Sequence, residues 1–223
     1  MLFRSDQEIN ELDLLDDHVK RKWSNDQHYA HKLVKMLTET DSLEHQLLAL
    51  EQLAFTPDPV LAEKITSWLE QEEQNPLAQF KALQVLKQQH VTEPIQMIRL
   101  GQQVKLRPMD TPLKLEEFPE PVHHVLDLVR EQSEINHPNL LYFAEHTWAD
   151  FLSFIYGSVQ YERFIQHAIA YPYACAASLH YISLQAMTGD ASQFEVADMY
   201  DVAEDDFSLE WVGRLLNQFI QRA

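Results

Sequence analysis

Apolar positions in the first half of the chain recur at helical spacing on either side of a short proline-containing break. In residues 43–69, LEHQLLALEQLAFTPDPVLAEKITSWL, Leu50 and Leu53 precede the break, and Ile65 and Leu69 follow it. A spacing of three to four residues is typical of a helix that buries one face. The segment is therefore predicted to form a helix, a turn and a second helix.

A second segment with a similar pattern follows. In residues 77–100, LAQFKALQVLKQQHVTEPIQMIRL, Leu83 lies 33 residues after Leu50, and Pro94 lies 35 residues after Pro59. Proline suits the first turn of a helix because its missing N–H has no intrahelical partner there and its φ is already helical. The pattern predicts a second helical hairpin whose second helix begins at Pro94.

Polar residues that cap helices precede these predicted elements. Asp41 or Ser42 and Asn75 stand where the first helix of each hairpin should begin. Upstream, ELDLLDDHVKRKW and NDQHYAHKLVKML are predicted to form an earlier pair, with Ser24 or Asn25 capping its second helix.

The paired segments ALEQLAFTPDPVLAEKI and ALQVLKQQHVTEPIQMI resemble the HEAT-like and TPR-like families of helical-hairpin repeats, over about residues 10–105. The resemblance implies a short α-solenoid whose concave face holds a partner, and it transfers no catalytic residues. The alternative is an irregular bundle of antiparallel helices, because two units can match at helical spacing by coincidence.

The chain changes character after the repeated segments. Residues 107–121, RPMDTPLKLEEFPEP, contain four prolines and no sustained periodicity, and a helix is expected to begin near Pro121. The predicted organisation is a helical-hairpin repeat region over 1–106, a proline-rich connection over 107–121, and an aromatic, acidic helical region over 122–223. One continuous domain is the alternative.

Five or six helices with aromatic faces are predicted in the last region. Gly157 and Gly189 fall where helices should end, and Ser158, Ser192 and Ser208 fall where helices should begin. With only four glycines in 223 residues and runs rich in Leu, Glu, Gln and Ala, the chain is predicted to be all-α.

Composition also bears on location. The acidic start of the sequence lacks the features of a secretory signal, and no stretch reaches about 20 uninterrupted apolar residues. Cys175 alone cannot form an internal disulfide, which fits a reducing compartment. A cytoplasmic protein is expected.

The formal net charge of −18 disfavours direct binding to nucleic acid or to anionic membranes, since both require clustered Lys and Arg. The basic residues are also unevenly distributed, because residues 131–223 hold three Arg and no Lys against 13 acidic residues. A protein or a basic peptide is the expected partner, although acidic charge also serves solubility alone.

Histidine and carboxylate residues invite a search for a metal site. Three groups have helical spacing, namely His28 with His31, His146 with Asp150, and His123 and His124 with Asp127 and Glu131. None forms a known metal or catalytic motif, so no metal, cofactor or catalytic residue is predicted. Cys175 and His180 are poorly aligned on one helix face, which favours a buried, inert cysteine.

The aromatic residues of the last region have two interpretations. They form a core, or they line an apolar pocket or a contact surface. The residues concerned are Tyr142, Phe143, Trp148, Phe151, Phe154, Tyr156, Tyr161, Phe164, Tyr171, Tyr173 and Tyr181.

An acidic stretch with interspersed aromatic residues, VADMYDVAEDDF, follows in a region with no basic residue between Arg163 and Arg214. It is either a solvated surface or a strip for docking a basic partner. The predicted partner-binding residues are Phe194, Tyr200, Glu204, Asp205, Asp206 and Phe207.

The leading hypothesis is thus a non-catalytic, cytosolic protein-interaction module, an adaptor or scaffold. The alternative is a helical enzyme or small-ligand binder with a closed pocket containing His146 or His180. A third hypothesis is an acidic mimic of nucleic acid, which would compete with DNA for a DNA-binding protein.

Overall fold

The computed structural model describes residues 29–55, 59–133 and 139–203 of the chain. It divides into two compact units, Met1–Thr111 and Pro112–Ala223, called here the first and second units. Within the described residues the regular structure is helical apart from one β-hairpin, so the predicted all-α fold class is confirmed. None of the described helices is both long enough and apolar enough to cross a membrane.

The described part of the first unit begins with helices that bury one apolar face each. They are α1 (Tyr29–Thr38), α2 (Leu43–Ala54), α3 (Pro59–Gln71) and α4 (Pro76–Gln88). Helix α2 packs against α1 and α4, and α4 also contacts α3. The two helices predicted from residues 43–69 are confirmed, and the break between them at residues 56–58 lies outside the described part of the chain. Of the predicted earlier pair, residues 11–23 lie outside the described part, whereas α1 matches the end of the second segment.

Two of the predicted caps form. The Ser42 side chain accepts a hydrogen bond from a backbone N–H in the first turn of α2, and Asn75 Oδ1 accepts one from the N–H of Leu77 at 2.9 Å. These bonds satisfy N–H groups that have no partner within the helix. Ser24 and Asn25 lie outside the described residues.

The prediction that a helix begins at Pro94 is wrong. The chain there forms two antiparallel strands, β1 (Ile95–Arg99) and β2 (Gln102–Leu106), joined by Leu100 and Gly101. Buried and exposed residues alternate along β1, because successive side chains of a strand point to opposite faces. The turn residues have φ of 49° and 74°, as a type I′ turn requires, and glycine adopts such a φ without steric cost.

The second predicted hairpin therefore keeps its first helix, α4, and has a β-hairpin in place of its second helix. The resemblance of the wider region to HEAT-like or TPR-like repeats stays a prediction.

A buried arginine fixes the hairpin to α4. Arg99 is fully buried, and its Nη1 donates to the carbonyl of Pro76 at 2.8 Å and to Gln79 Oε1 at 3.0 Å. Gln79 Nε2 in turn donates to the carbonyl of Ile98 at 2.7 Å. These bonds compensate for part of the desolvation of the guanidinium group.

Two short 3₁₀ turns, Pro108–Asp110 and Leu115–Glu117, lie in the segment predicted as a proline-rich connection, residues 107–121. The boundary between the two units also falls inside this segment. Helix α5 begins at Glu120, in agreement with the predicted start near Pro121.

The described helices of the second unit surround one central helix. They are α5 (Glu120–Ser133), α6 (Leu140–Ile155), α7 (Val159–Ala170), α8 (Pro172–Thr188) and α9 (Gln193–Met199). Every residue of α8 from Ala174 to His180 is buried, since α8 packs against each of the other four. A helix that is buried on nearly all sides shows no apolar stripe.

The predicted helix boundaries of this unit are largely confirmed. Ser158 and Ser192 cap α7 and α9 through side-chain oxygens, and Gly189 ends α8 in the left-handed conformation. Gly157, with φ of 69°, lies between α6 and α7. Ser208 lies outside the described residues.

Aromatic rings fill the core between α6 and α7. The rings of Trp148 and Phe151 lie 5.2 and 5.3 Å from that of Phe164, both in edge-to-face contact, and all three side chains are fully buried. Trp148 Nε1 donates to the carbonyl of Val122 in α5 at 3.2 Å. The core interpretation therefore holds for these aromatic residues.

Candidate protein-interaction surface

Helix α9 is short and amphipathic, and it begins at the predicted cap. Ser192 Oγ accepts the N–H of Glu195 at 3.3 Å, and the helix ends at Tyr200. Val196, Ala197 and Tyr200 are buried on the side that packs against α8. The helix thus has a fixed inner face.

A buried hydrogen bond anchors the end of α9. Tyr200 Oη lies 2.9 Å from Nδ1 of His180 in α8, and the two rings meet edge to face at 5.7 Å. Burial raises the pKa of the Tyr200 hydroxyl, so the hydroxyl keeps its proton and can donate it in this bond. Because both side chains are buried, the bond holds the last turn of α9 against the core.

The outer face of α9 combines large apolar side chains with acids. Phe194 is 64% exposed and Met199 is 38% exposed, and two acids of the helix, Glu195 and Asp198, are exposed as well, as is Asp201 in the turn that follows α9. We call these five residues the α9 surface. No Lys or Arg occurs between Arg163 and the end of the described residues at position 203, so no basic residue nearby in the sequence offsets this negative charge.

The apolar and acidic side chains of the α9 surface are complementary in chemistry to a segment with apolar and cationic side chains. Apolar side chains that are exposed before binding gain free energy when a partner covers them, and charge complementarity speeds and orients the encounter. The seating of α9 on α8 adds preorganisation, since less conformational entropy is lost on binding.

The predicted partner-binding residues have different outcomes. Phe194 is exposed on the outer face, as a contact residue must be. Tyr200 points into the core, where its hydroxyl bonds to His180, so its expected place in a contact surface is corrected. Its position follows from helical spacing, because Tyr200 lies four residues after buried Val196. The predicted Glu204, Asp205, Asp206 and Phe207 lie outside the described residues.

Of the five residues of the α9 surface, only Phe194 is among the predicted partner-binding residues, and the apolar residue that the prediction lacks is Met199. Met199 lies four residues after Glu195, on the same helix face. The signal was present in the helical spacing, but aromatic side chains drew the prediction to Tyr200 instead.

A second exposed aromatic group lies at the start of α6. The ring of Tyr142 lies 6.1 Å from that of Phe143 and 4.1 Å from that of His146, whose Nδ1 lies 2.8 Å from the Tyr142 carbonyl oxygen. Tyr171 and Tyr173 are exposed as well, at the junction of α7 and α8. The aromatic residues of the second unit therefore divide between core and surface.

The candidate metal ligands do not converge in the described part of the chain, where no group of three or more His, Cys, Asp or Glu residues could hold a metal ion. His146 and Asp150 are both exposed, and they form no ion pair there. Partial desolvation raises the pKa of the Asp150 carboxyl, and the charge of His146 opposes this rise. His123 Nε2 lies 2.9 Å from the carbonyl oxygen of Phe118. His28 lies outside the described residues.

Cys175 is fully buried in α8, where burial raises the pKa of its thiol to about 12. Since the thiolate is the nucleophilic form, this side chain is unreactive at neutral pH. The inert cysteine expected from the sequence agrees with this environment.

Three grooves on the described surface are open to solvent rather than enclosed. One of about 350 Å³ lies between Glu70 and the β-hairpin, one of about 330 Å³ lies beside Trp68, and one of about 450 Å³ runs along α7 near Tyr171. Neither His146 nor His180, the residues expected in an enclosed ligand pocket, lines any of these three.

Comparison with known proteins gives no relative from which a role could be transferred. No family model, no curated protein and no solved structure matches the chain. The α9 surface therefore rests on its own geometry and chemistry.

Proposed function

We propose that the protein is a non-catalytic, cytoplasmic protein-interaction module, an adaptor or scaffold, and that the α9 surface binds a protein segment or peptide rich in basic and apolar residues. The observation that carries the proposal is the exposure of Phe194 and Met199 among three acidic side chains, on a helix whose inner face is anchored in the core.

Each part of this surface has a role in binding. Phe194 supplies the apolar anchor, because aromatic side chains contribute a large share of the energy of many interfaces. Glu195, Asp198 and Asp201 attract the cationic side chains of the partner, and this contribution decreases as salt screens the charges.

The experiment compares peptide binding by the full chain and its variants. The probes are two peptide libraries with the same Leu and Phe content, one containing Lys and Arg and the other Asp and Glu. We expect binding to the basic library alone, with lower affinity at higher salt. Binding measured by fluorescence anisotropy should weaken about tenfold in Phe194→Ala, which corresponds to about 1.4 kcal/mol.

Matched controls separate this surface from general effects of charge or aromatic content. Asp198→Lys should weaken binding, whereas Glu44→Lys makes the same charge change at an exposed position of α2 and should leave binding nearly unchanged. Phe143→Ala removes an exposed ring from α6 and should also have little effect. Equal binding by Phe194→Ala, Asp198→Lys and their controls, or no preference for the basic library, would overturn the proposal.

A further inference from the structure

Among the residues that the structure describes, the outer edge of one strand of the first unit's hairpin is unpaired. The two-residue turn makes Arg99 and Gln102 a hydrogen-bonded pair, and this pattern alternates along the ladder. Gln103 and Lys105 therefore direct their backbone N–H and C=O groups away from β1. Both residues are exposed.

The two edges of the hairpin differ in how they are covered. On the β1 side the strand packs against α3, and the outward carbonyl of Ile98 accepts a hydrogen bond from Gln79 at 2.7 Å. On the β2 side, no group bonds to the outward backbone of Gln103 or Lys105 among the residues that the structure describes. An edge with free N–H and C=O groups can pair with another strand.

The sequence of β2 is compatible with pairing to itself. In an antiparallel pair centred on Val104, Gln103 of each copy faces Lys105 of the other, and each of these two pairs exchanges two N–H···O bonds. Lysine does not face lysine in this register. A register centred on Lys105 would place like charges directly opposite each other, which is unfavourable.

The first unit carries less negative charge than the second. Residues 1–111 contain 12 Lys or Arg and 18 Asp or Glu, a formal net charge of −6. Residues 112–223 contain five Lys or Arg and 17 Asp or Glu, a formal net charge of −12. Repulsion between copies is therefore weaker at the hairpin than at the second unit.

We infer that two copies of the chain associate through antiparallel pairing of their β2 edges, centred on Val104, to form a four-stranded sheet. This inference is independent of the α9 surface, which lies in the other unit.

The first test removes one backbone donor from the edge. Gln103→Pro deletes an N–H that points away from β1, so it leaves the hydrogen bonds of the hairpin in place, whereas Gln103→Ala keeps that N–H. Sedimentation velocity of the full chain over micromolar to submillimolar concentrations should show a dimer for the wild type. We expect its dissociation constant to rise at least tenfold in Gln103→Pro and to change less than threefold in Gln103→Ala.

The second test examines the register. Gln103→Glu places a carboxylate opposite Lys105 of the second copy and should tighten the dimer severalfold, whereas Gln103→Lys places two lysines opposite each other and should weaken it by a similar factor. The general repulsion between acidic chains predicts the opposite order, because Gln103→Lys lowers the net negative charge. Circular dichroism spectra and melting temperatures of the variants should match those of the wild type, which would show that the variants fold.

The outcomes are decisive in either direction. A wild-type chain that stays monomeric over the whole range overturns the inference, and so does a dimer unaffected by Gln103→Pro or one that Gln103→Lys tightens. Loss of peptide binding in Phe194→Ala with an unchanged dimer leaves both proposals standing, since they concern different surfaces.

Discussion

The two units of the chain differ in how their cores are built. The described core of the first unit is mainly aliphatic, with Leu50, Leu53, Ile65 and Leu83 fully buried. In the second unit the rings of Trp148, Phe151 and Phe164 form a buried cluster, and many of the buried side chains of the central helix α8 are small. Two units that are both mainly helical can therefore have cores of different composition, one aliphatic and one aromatic.

The buried polar groups of the two units differ as well. The first unit buries a guanidinium group, Arg99, held by carbonyl oxygens. The buried groups of the second unit include the thiol of Cys175 and the phenol of Tyr200, which are neutral at pH 7. The stability of the first unit should therefore depend on the oxygen atoms that accept hydrogen bonds from Arg99. The stability of the second unit should depend on pH, because high pH ionises Cys175 and Tyr200.

The largest expected effect comes from removing the central ring of the second unit. Phe164→Ala should lower the free energy of unfolding by about 3–5 kcal/mol, because it leaves a cavity and removes contacts with Trp148 and Phe151. Leu50→Ala in the first unit should cost about 2–5 kcal/mol. Urea unfolding followed by near-ultraviolet circular dichroism measures both.

Phe164→Leu is the control for this experiment, since it retains an apolar side chain and should cost clearly less than alanine. If the units unfold independently, each variant will shift only one of two unfolding transitions to a lower urea concentration. A loss below about 1 kcal/mol for Phe164→Ala would contradict the assignment of this ring as the centre of the core.

The sequence predicts helices well where one face is apolar and a cap is present. Ser158, Ser192 and Gly189 were assigned correctly, because capping and left-handed ends depend on local chemistry. The all-α class followed from composition for the same reason. Local rules were sufficient for these elements.

The hairpin shows where such rules fail. Pro94 matched Pro59 in position, and the match suggested a helix start. The alternation of buried and exposed residues in β1 spans only five residues, too few to compete with the apparent repeat. Gly101 was the overlooked signal, because glycine in a two-residue loop between short alternating segments favours a type I′ turn.

The candidate site was predictable only in part. The acidic and aromatic character of the region around Phe194 is evident from the sequence, but the burial of Tyr200 depends on its contact with His180, twenty residues earlier in the chain. That no described residue pairs with the outer edge of β2 could not be predicted from the sequence, because it depends on which side of the hairpin the helices cover.

A smaller effect should distinguish the units at high pH. Burial raises the pKa of Tyr161 to about 12 and that of Cys175 to about 12, and it also raises the pKa of Tyr200. All three groups lie in the second unit. The folded state keeps these protons where the unfolded state releases them, so the stabilisation is complete below about pH 9 and is lost as the pH rises towards 12.

We therefore expect the urea midpoint of the second unit's unfolding transition to fall between pH 9 and pH 10.5. The midpoint of the first unit should fall less over the same range. For Cys175 alone, the loss amounts to about 1.4 kcal/mol per pH unit above its unfolded pKa. Cys175→Ala should make this dependence shallower, although it lowers stability at pH 7. An unchanged slope would show that the thiol titrates alike in both states.

The smallest expected effects concern a feature that the two units share. Gly101 in the hairpin turn and Gly189 at the end of α8 have φ of +74° and +73°, and a Cβ added at either position would meet no atom within 4 Å. Alanine at each should therefore cost only the backbone strain of the left-handed conformation, about 1 kcal/mol. Thermal or urea unfolding of Gly101→Ala and Gly189→Ala measures both losses.

Asparagine is the matched control at both positions, since it tolerates the left-handed region better and should cost less than alanine. Similar losses at the two sites would show that the strain is local and independent of the aliphatic or aromatic core beneath it. A much larger loss at Gly101 would show that the turn contributes more than local strain. The turn sets the register of the hairpin, and the register determines which backbone groups of β2 point outwards for pairing with a second copy.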